Sequence, residues 1–82
     1  MNVSQLAAMA RDHWKQEVPE IYMKMVKNKV LAEESEAVAR LTLKEMENLM
    51  KGNMAEQEAW QASLRQFIFA PKEQIEKNYQ VG

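Results

Sequence analysis

Only two glycines and two prolines interrupt this 82-residue chain, and this scarcity limits the folds that it can adopt. Pro19, Gly52 and Pro71 divide the chain into segments, and Gly82 is the last residue. The segments are rich in Ala, Met, Leu, Glu, Lys and Gln, which favour helices, and none shows the alternation of β-branched and polar residues that is typical of strands. The sequence therefore predicts a single all-α domain over residues 1–82, folded as a compact helical bundle.

Apolar residues recur at helical spacing in four stretches of the chain. The predicted helices cover residues 3–17, 19–28, 32–50 and 54–69. Pro19 separates the first two helices because proline disfavours helical geometry at the residue before it, and one kinked helix across both segments is the alternative. Residues 72–79 are expected to add a short fifth helix, for which a frayed tail over residues 72–82 is the alternative.

Polar residues at the ends of these segments predict where helices begin and end. Asn2 or Ser4 can cap the first helix, because either side chain accepts a hydrogen bond from a free backbone N–H. Gly52 is expected to take the left-handed conformation that closes the third helix. Asn53 is expected to cap the fourth helix, with Glu56 completing a capping box three residues later.

Composition excludes several classes of protein. The chain has 11 basic and 12 acidic side chains, and a net charge of −1 does not attract a protein to nucleic acid or to an anionic membrane. Cysteine is absent, so disulfides, thiol nucleophiles and zinc fingers are excluded. No apolar run reaches the roughly 18 residues of a membrane span, and the N-terminus lacks the pattern of a secretory signal. We therefore expect a soluble cytoplasmic chain without membrane contact.

The sequence offers no set of residues that fits a catalytic, cofactor or metal site. His13 is the only histidine, and no nucleophile or second acid is spaced for it to act on, so we expect a half-buried side chain hydrogen-bonded to backbone or carboxylate. Glu33, Glu34 and Glu36 lack the pattern of a calcium loop, and the first turns of a helix stabilise such acidic residues. We therefore expect neither enzymatic activity nor a small-molecule substrate.

Methionine and large apolar residues outside the predicted core suggest a contact surface. Four of them lie off or at the edge of the apolar helix faces, namely Met9, Met23, Leu41 and Phe69. Exposed methionine and aromatic side chains adapt well to the surface of a partner. These residues predict a protein-binding face, and the alternative is that they cover an irregular core.

Lysines in the first third of the chain form the only local basic cluster, with members Lys15, Lys24, Lys27 and Lys29. Lysines bind nucleic-acid phosphates, so a small DNA- or RNA-binding regulator is the alternative function. It is disfavoured because such modules usually show a stronger basic surface with arginine or aromatic residues that reach the bases. A homodimer is a further alternative, since a chain this small buries a limited core.

Short motifs occur in a fixed order between residues 6 and 72: His-Trp-Lys at 13–15, Pro-Glu-Ile-Tyr at 19–22, Thr-Leu-Lys-Glu-Met at 42–46, Gly52, Glu-Ala-Trp at 58–60 and Gln-Phe-Ile-Phe-Ala-Pro at 66–71. This ordered set resembles a group of small, uncharacterised helical proteins encoded by bacteriophages and prophages. The resemblance implies a phage origin and a bacterial cytoplasmic setting, and it supplies no catalytic residue. Together with the apolar contact residues, it predicts a non-enzymatic module that binds a host protein complex, such as a defence complex, or a phage assembly protein.

Overall fold

The computed structural model describes residues 1–79, and in this range the chain is an all-α bundle, as the sequence predicts. Its helices are α1 (Val3–Glu17), α2 (Pro19–Lys27), α3 (Leu31–Lys51), α4 (Glu56–Ser63) and α5 (Lys72–Asn78). A π-helical turn, Leu64–Ile68, continues α4. Residues 72–78 therefore form the predicted fifth helix rather than a frayed tail. Residues 80–82, the end of the proposed tail, lie outside the described residues.

Local side-chain chemistry fixes both ends of α1. The Asn2 side chain accepts a hydrogen bond from the Gln5 backbone N–H at 2.9 Å, and the Gln5 side chain accepts one from the Asn2 backbone N–H at 3.0 Å. This capping box selects Asn2, not Ser4, as the cap. Val18, at φ −134° and ψ 61°, is not helical and Pro19 opens α2, so the chain forms two helices rather than one kinked helix.

The C-terminus of α2 is closed by a lysine in the left-handed conformation. Lys29 has φ 60°, and its backbone N–H donates to the Val26 carbonyl at 3.1 Å. The Val30 backbone N–H donates to the Met25 carbonyl at 2.9 Å. This pair of bonds is a Schellman motif, in which the left-handed position is usually glycine. It turns the chain sharply so that Val30 and Leu31 pack against the core.

The C-terminus of α3 closes in the same way, and here the prediction for Gly52 is wrong by one residue. Asn53 has φ 70°, whereas Gly52 has φ −85°. The Asn53 N–H donates to the Met50 carbonyl and the Met54 N–H to the Leu49 carbonyl, both at 3.1 Å. Asparagine tolerates the left-handed region, so it takes the role expected of the neighbouring glycine.

The start of α4 also differs from the prediction. Asn53 belongs to the end of α3, so it does not cap α4, which begins at Glu56 after Ala55 and has no side-chain cap. At the other end, the Phe69 N–H donates to the Leu64 carbonyl, five residues earlier, at 2.7 Å. This wide π turn leaves Ile68 fully buried and Phe69 exposed.

Small residues allow the helices of the bundle to approach one another closely. The most extensive helix contact is between α1 and α3, followed by that between α3 and α4. Four alanines are buried on these helices: Ala7, Ala10, Ala39 and Ala59. The largest fully buried side chains are Trp14, Leu6 and Ile68. α5 packs on this core through the buried Ile75 and through Tyr79, whose ring lies edge-on to Trp14 with centroids 5.7 Å apart.

Three hydroxyl side chains, Ser35, Thr42 and Ser63, are completely buried in the bundle. The Thr42 hydroxyl donates to the Val38 carbonyl at 2.8 Å. The Ser35 hydroxyl donates to the Ala32 carbonyl at 3.0 Å and accepts a hydrogen bond from the Arg11 guanidinium at 2.9 Å. Among the residues that the structure describes, the Ser63 hydroxyl has no hydrogen-bond partner. Two of the three buried hydroxyls are therefore satisfied and one is not.

Candidate protein-binding face

Large apolar side chains are exposed at several places on the bundle. They include Met1, Met23, Val26, Leu41, Met50 and Phe69. A single exposed apolar side chain is common on any protein surface, whereas neighbouring ones indicate a contact site. Met23 and Val26 satisfy this criterion, because they lie three residues apart on α2 and line the same surface groove.

The four residues predicted to bind a protein do not form one surface. Met23, Leu41 and Phe69 are exposed, with 60%, 49% and 45% of their surface accessible. Met9 differs, because it is half-buried and packs against the core. Met23 lies on α2 and Leu41 on α3, and the groove that contains Phe69 is separate from the groove that contains Met23. Met23 shares its groove with another exposed apolar side chain, Val26.

We define the α2 face as the four residues that line this groove: Met23, Lys24, Val26 and Lys27. Residues three apart lie on the same side of a helix, about 4.5 Å apart along its axis. At 100° per residue, Lys24 and Lys27 both lie on the same side of the apolar pair Met23 and Val26. Val26 follows Tyr22 by four residues, a spacing that predicts a place on the apolar face of α2. However, 44% of its surface is exposed, because Ile21 and Met25 fill the core side of the helix.

A second groove adjoins the α2 face where α1, α2 and α3 meet. Val26 lines both grooves, and we call the second one the junction groove; its other lining residues are Arg11, Met25, Lys29, Leu31 and Ala32. The Arg11 guanidinium binds the hydroxyl of Ser35, a neutral partner, so this contact leaves its charge uncompensated. Four lining residues of the two grooves are cations and none is a carboxylate.

The lysines of the predicted nucleic-acid site are only partly brought together. Lys24 and Lys27 belong to the α2 face and Lys29 lines the junction groove. Lys15 lies in the last turn of α1, where it is exposed, and it lines neither groove. The structure therefore gathers three of the four lysines around an apolar surface, not along a continuous basic track.

His13 has a structural contact that matches the sequence prediction. Its Nε2 atom lies 3.0 Å from the Ala70 carbonyl oxygen, and its ring meets the Phe69 ring edge-on with centroids 5.5 Å apart. A carbonyl oxygen only accepts hydrogen bonds, so Nε2 carries the proton and donates. The prediction of a half-buried histidine bound to backbone is confirmed, and the bond ties α1 to the segment after the π turn.

Tyr79 is the one described group whose pKa clearly departs from its ordinary value. Burial raises the pKa of Tyr79 to about 12, and the nearby Glu34 carboxylate adds to the increase by disfavouring the phenolate. The phenol is therefore protonated at neutral pH. With its ring against Trp14, Tyr79 holds the end of α5 to the bundle and offers no base for chemistry.

Acidic residues gather on another part of the surface, at the junction of α1 and α2. Glu17, Glu20 and Glu76 line a groove there together with Lys72. Among residues 1–79, no group of three or more His, Asp or Glu side chains is placed to hold a metal ion. Over the same residues, no helix has both the length and the apolar character needed to cross a membrane. The side chains that line this groove are mainly acidic, whereas the charged side chains of the α2 face are basic.

The chain matches no model of a known protein family, and it has no significant match among curated proteins or solved structures. Its own surface chemistry, with the apolar pair and lysines of the α2 face, is therefore the main guide to its function.

Proposed function

We propose that this chain is a non-enzymatic helical module that binds a protein partner through the α2 face. One observation carries the proposal: Met23 and Val26 are exposed side by side on one helix, in a groove that Lys24 and Lys27 also line. Removing apolar surface from water contributes about 25 cal/mol per Å². Binding of a partner that covers these two side chains is therefore favoured, because their apolar surface is exposed to water in the isolated chain and is buried in the complex.

Histidine, serine and tyrosine are residue types that often act in catalysis. In this chain His13, Ser63 and Tyr79 are held in structural positions, which supports a binding role. The His13 ring is engaged by the Ala70 carbonyl and the Phe69 ring. The Ser63 hydroxyl is enclosed in the core and is not accessible to a substrate. Tyr79 holds its proton at neutral pH. Recognition, which needs a surface and no reactive group, accounts for these placements better than catalysis.

The proposal includes a setting: a phage or prophage protein that acts in the cytoplasm of a bacterium on a host complex, such as a defence complex, or on phage assembly. Its support is the ordered set of motifs between residues 6 and 72. Several motif residues are buried, among them Trp14, Ile21, Ala59 and Ile68. These motif residues contribute to the core of the fold, whereas all four residues of the α2 face lie outside the motifs.

Affinity capture from a bacterial lysate tests the function. The tagged chain is compared with Met23→Glu/Val26→Glu, which changes the α2 face, and with Leu41→Glu, an exposed site of similar accessibility on α3. Circular dichroism first establishes that all three chains are equally helical. We expect a stoichiometric protein that the wild type and Leu41→Glu retain and the α2 variant loses. Equal capture by all three chains, or no stoichiometric protein in any, contradicts the proposal.

A nucleic-acid-binding regulator is the second candidate, and one observation favours it: Lys24, Lys27 and Lys29 border two adjoining grooves. Three phosphate contacts predict that log K falls against log salt with a slope of about −2.7 on duplex DNA. A gel shift at rising salt with the wild type and a Lys→Gln triple variant measures this slope. An affinity that is unchanged by salt or by the triple variant rejects this candidate.

A further inference from the structure

We infer that the partner segment is an acidic amphipathic helix, which places two apolar side chains, one turn apart, against Met23 and Val26 with its carboxylates facing the surrounding cations. The inference rests on the proposed protein-binding function and specifies the chemistry of the partner. It assigns a single binding track, the α2 face together with the junction groove, because Val26 lines both.

Charge identifies the partner as acidic. The chain as a whole has a net charge of −1, so its positive surface is local. Lys24 and Lys27 lie beside the apolar pair, on one side of it, and Arg11 and Lys29 border the adjoining groove; neither groove has a lining carboxylate. Exposed ion pairs contribute little affinity individually and are screened by salt. The four cations therefore select and orient an acidic partner while the apolar contacts hold it.

The spacing of the apolar residues identifies the partner as helical. Met23 and Val26 lie one turn apart on α2, and side chains three or four residues apart on a facing helix have a similar spacing. The apolar track continues past Val26 to Leu31 and Ala32. An amphipathic helix places successive apolar anchors along such a track, and the flexible methionine side chain adjusts to the shape of the anchor.

The same observations disfavour three other occupants. A second copy of the chain, docked symmetrically, would bring Lys24 and Lys27 against the identical lysines of its partner. A membrane surface requires a broad apolar helix face, but Ile21 and Met25 of α2 are buried in the core, and only a narrow pair remains exposed. Duplex DNA would contact the lysines and leave Met23 and Val26 without an apolar partner.

Nuclear magnetic resonance with the isotope-labelled full chain tests the inference and detects even weak binding. The probe is a peptide of about 16 residues, some four helical turns, with two leucines four residues apart and glutamates beside them. A control peptide has the same composition with the leucines on opposite sides of the helix. We expect amide shifts between residues 23 and 32 with the probe. We also expect about tenfold weaker binding by Lys24→Glu/Lys27→Glu and by the control peptide.

A matched variant and two other ligands complete the design. Lys44→Glu, which changes an exposed lysine of α3, is expected to bind the probe within about twofold of the wild type, because its charge is outside both grooves. Phosphatidylglycerol vesicles and duplex DNA are titrated in parallel. Shifts at residues 23–32 with either of these ligands but not with the peptide overturn the inference. Equal binding of the two peptides, or probe shifts confined to residues other than Arg11 and 23–32, also overturns it.

The two proposals fail in distinguishable ways. If Met23→Glu/Val26→Glu loses its partner from the lysate but the wild type does not bind the acidic peptide, protein binding stands and the acidic helix is rejected. If the lysate partner is retained by that variant, the α2 face is not the binding surface and both proposals are rejected.

Discussion

Replacement of Ser63 by alanine should stabilise the protein, because it removes a buried hydroxyl that has no partner among the described residues. Enclosing such a group without a hydrogen bond costs about 1–3 kcal/mol. Ser63 is the last residue of α4, and alanine also has the higher helix propensity. We expect Ser63→Ala to raise the free energy of unfolding by about 1–3 kcal/mol. For a domain of this size, each kcal/mol corresponds to a rise in Tm of about 4–8 °C.

Ser35→Ala is the matched control, because Ser35 is equally buried but its hydroxyl is hydrogen-bonded. That hydroxyl donates to the Ala32 carbonyl and accepts from the Arg11 guanidinium. Losing it removes both bonds and leaves a half-buried cation without its acceptor, so we expect Ser35→Ala to lower the free energy of unfolding by about 1–3 kcal/mol. The same chemical change should thus have opposite effects at the two sites.

Urea unfolding followed by far-ultraviolet circular dichroism measures both differences in free energy. Unchanged slopes of the unfolding free energy against urea would show that the two variants expose the same surface as the wild type. If Ser63→Ala is as stable as the wild type or less stable, the reasoning is refuted, and the hydroxyl must bind a group such as a buried water at the start of the π turn. If Ser35→Ala is not destabilised, the bond to Arg11 contributes nothing.

Four further substitutions test other features of the fold. Lys29→Gly should stabilise the chain by up to about 1 kcal/mol, because glycine adopts the φ of 60° without strain. The control Lys24→Gly, in the interior of α2, should destabilise the chain. Measured Tm values should therefore rise for the first variant and fall for the second. Ile68→Ala should lower the free energy of unfolding by about 2–5 kcal/mol if the π turn places Ile68 in the core, and an exposed site would show a change below about 0.5 kcal/mol. The pKa of Tyr79 is about 12 in the folded chain and 10.0 in the unfolded chain. Its contribution to the free energy of unfolding is therefore complete below pH 10 and is lost as the pH rises to about 12. Tyr79→Phe should lack this loss when the free energy of unfolding is measured across that pH range.

The sequence predicts helix boundaries well where one local interaction decides them. The start of α1, for which Asn2 and Ser4 are both candidates in the sequence, and the break before Pro19 are examples, because a capping box and a proline act within a few residues and decide between the alternatives. The end of α3 was less predictable, since Gly52 and Asn53 both tolerate the left-handed region. Which of them adopts it depends on the pairing of backbone groups with the Met50 and Leu49 carbonyls.

Helical periodicity puts Leu6, Ala10 and Trp14 on one face of α1, and all three are buried. Periodicity does not predict the turn at Lys29 or the position of the Arg11 side chain. At a turn imposed by packing, Lys29 is left-handed although lysine has no preference for this conformation. At the π turn, the wide hydrogen bond changes the angle between successive residues, yet the periodicity of the segment places Ile68 on its apolar face, and Ile68 is buried. Periodicity also places Arg11 opposite the buried face, whereas its guanidinium reaches back to the hydroxyl of Ser35.

The candidate site was predictable in its parts but not as an assembly. Met23 and the lysines of α2 stand out in the sequence as residues outside the apolar face. Val26 does not, because its spacing from Tyr22 assigns it to the core side. Its exposure, and its position beside Leu31 and Ala32, depend on how the turn at Lys29 directs α3 away from α2.

The core residues of this bundle differ from the residues of the proposed binding surface, so the proposed binding role can be tested separately from folding. Trp14 and Ile68 belong to the ordered motifs and lie in the core, whereas Met23 and Val26 are mostly or partly in water. Substitutions on an exposed surface usually change the free energy of unfolding by less than about 0.5 kcal/mol. Met23→Ala and Val26→Ala are therefore expected to weaken binding while leaving unfolding nearly unchanged. Parallel losses of binding and stability would show instead that these side chains support the fold.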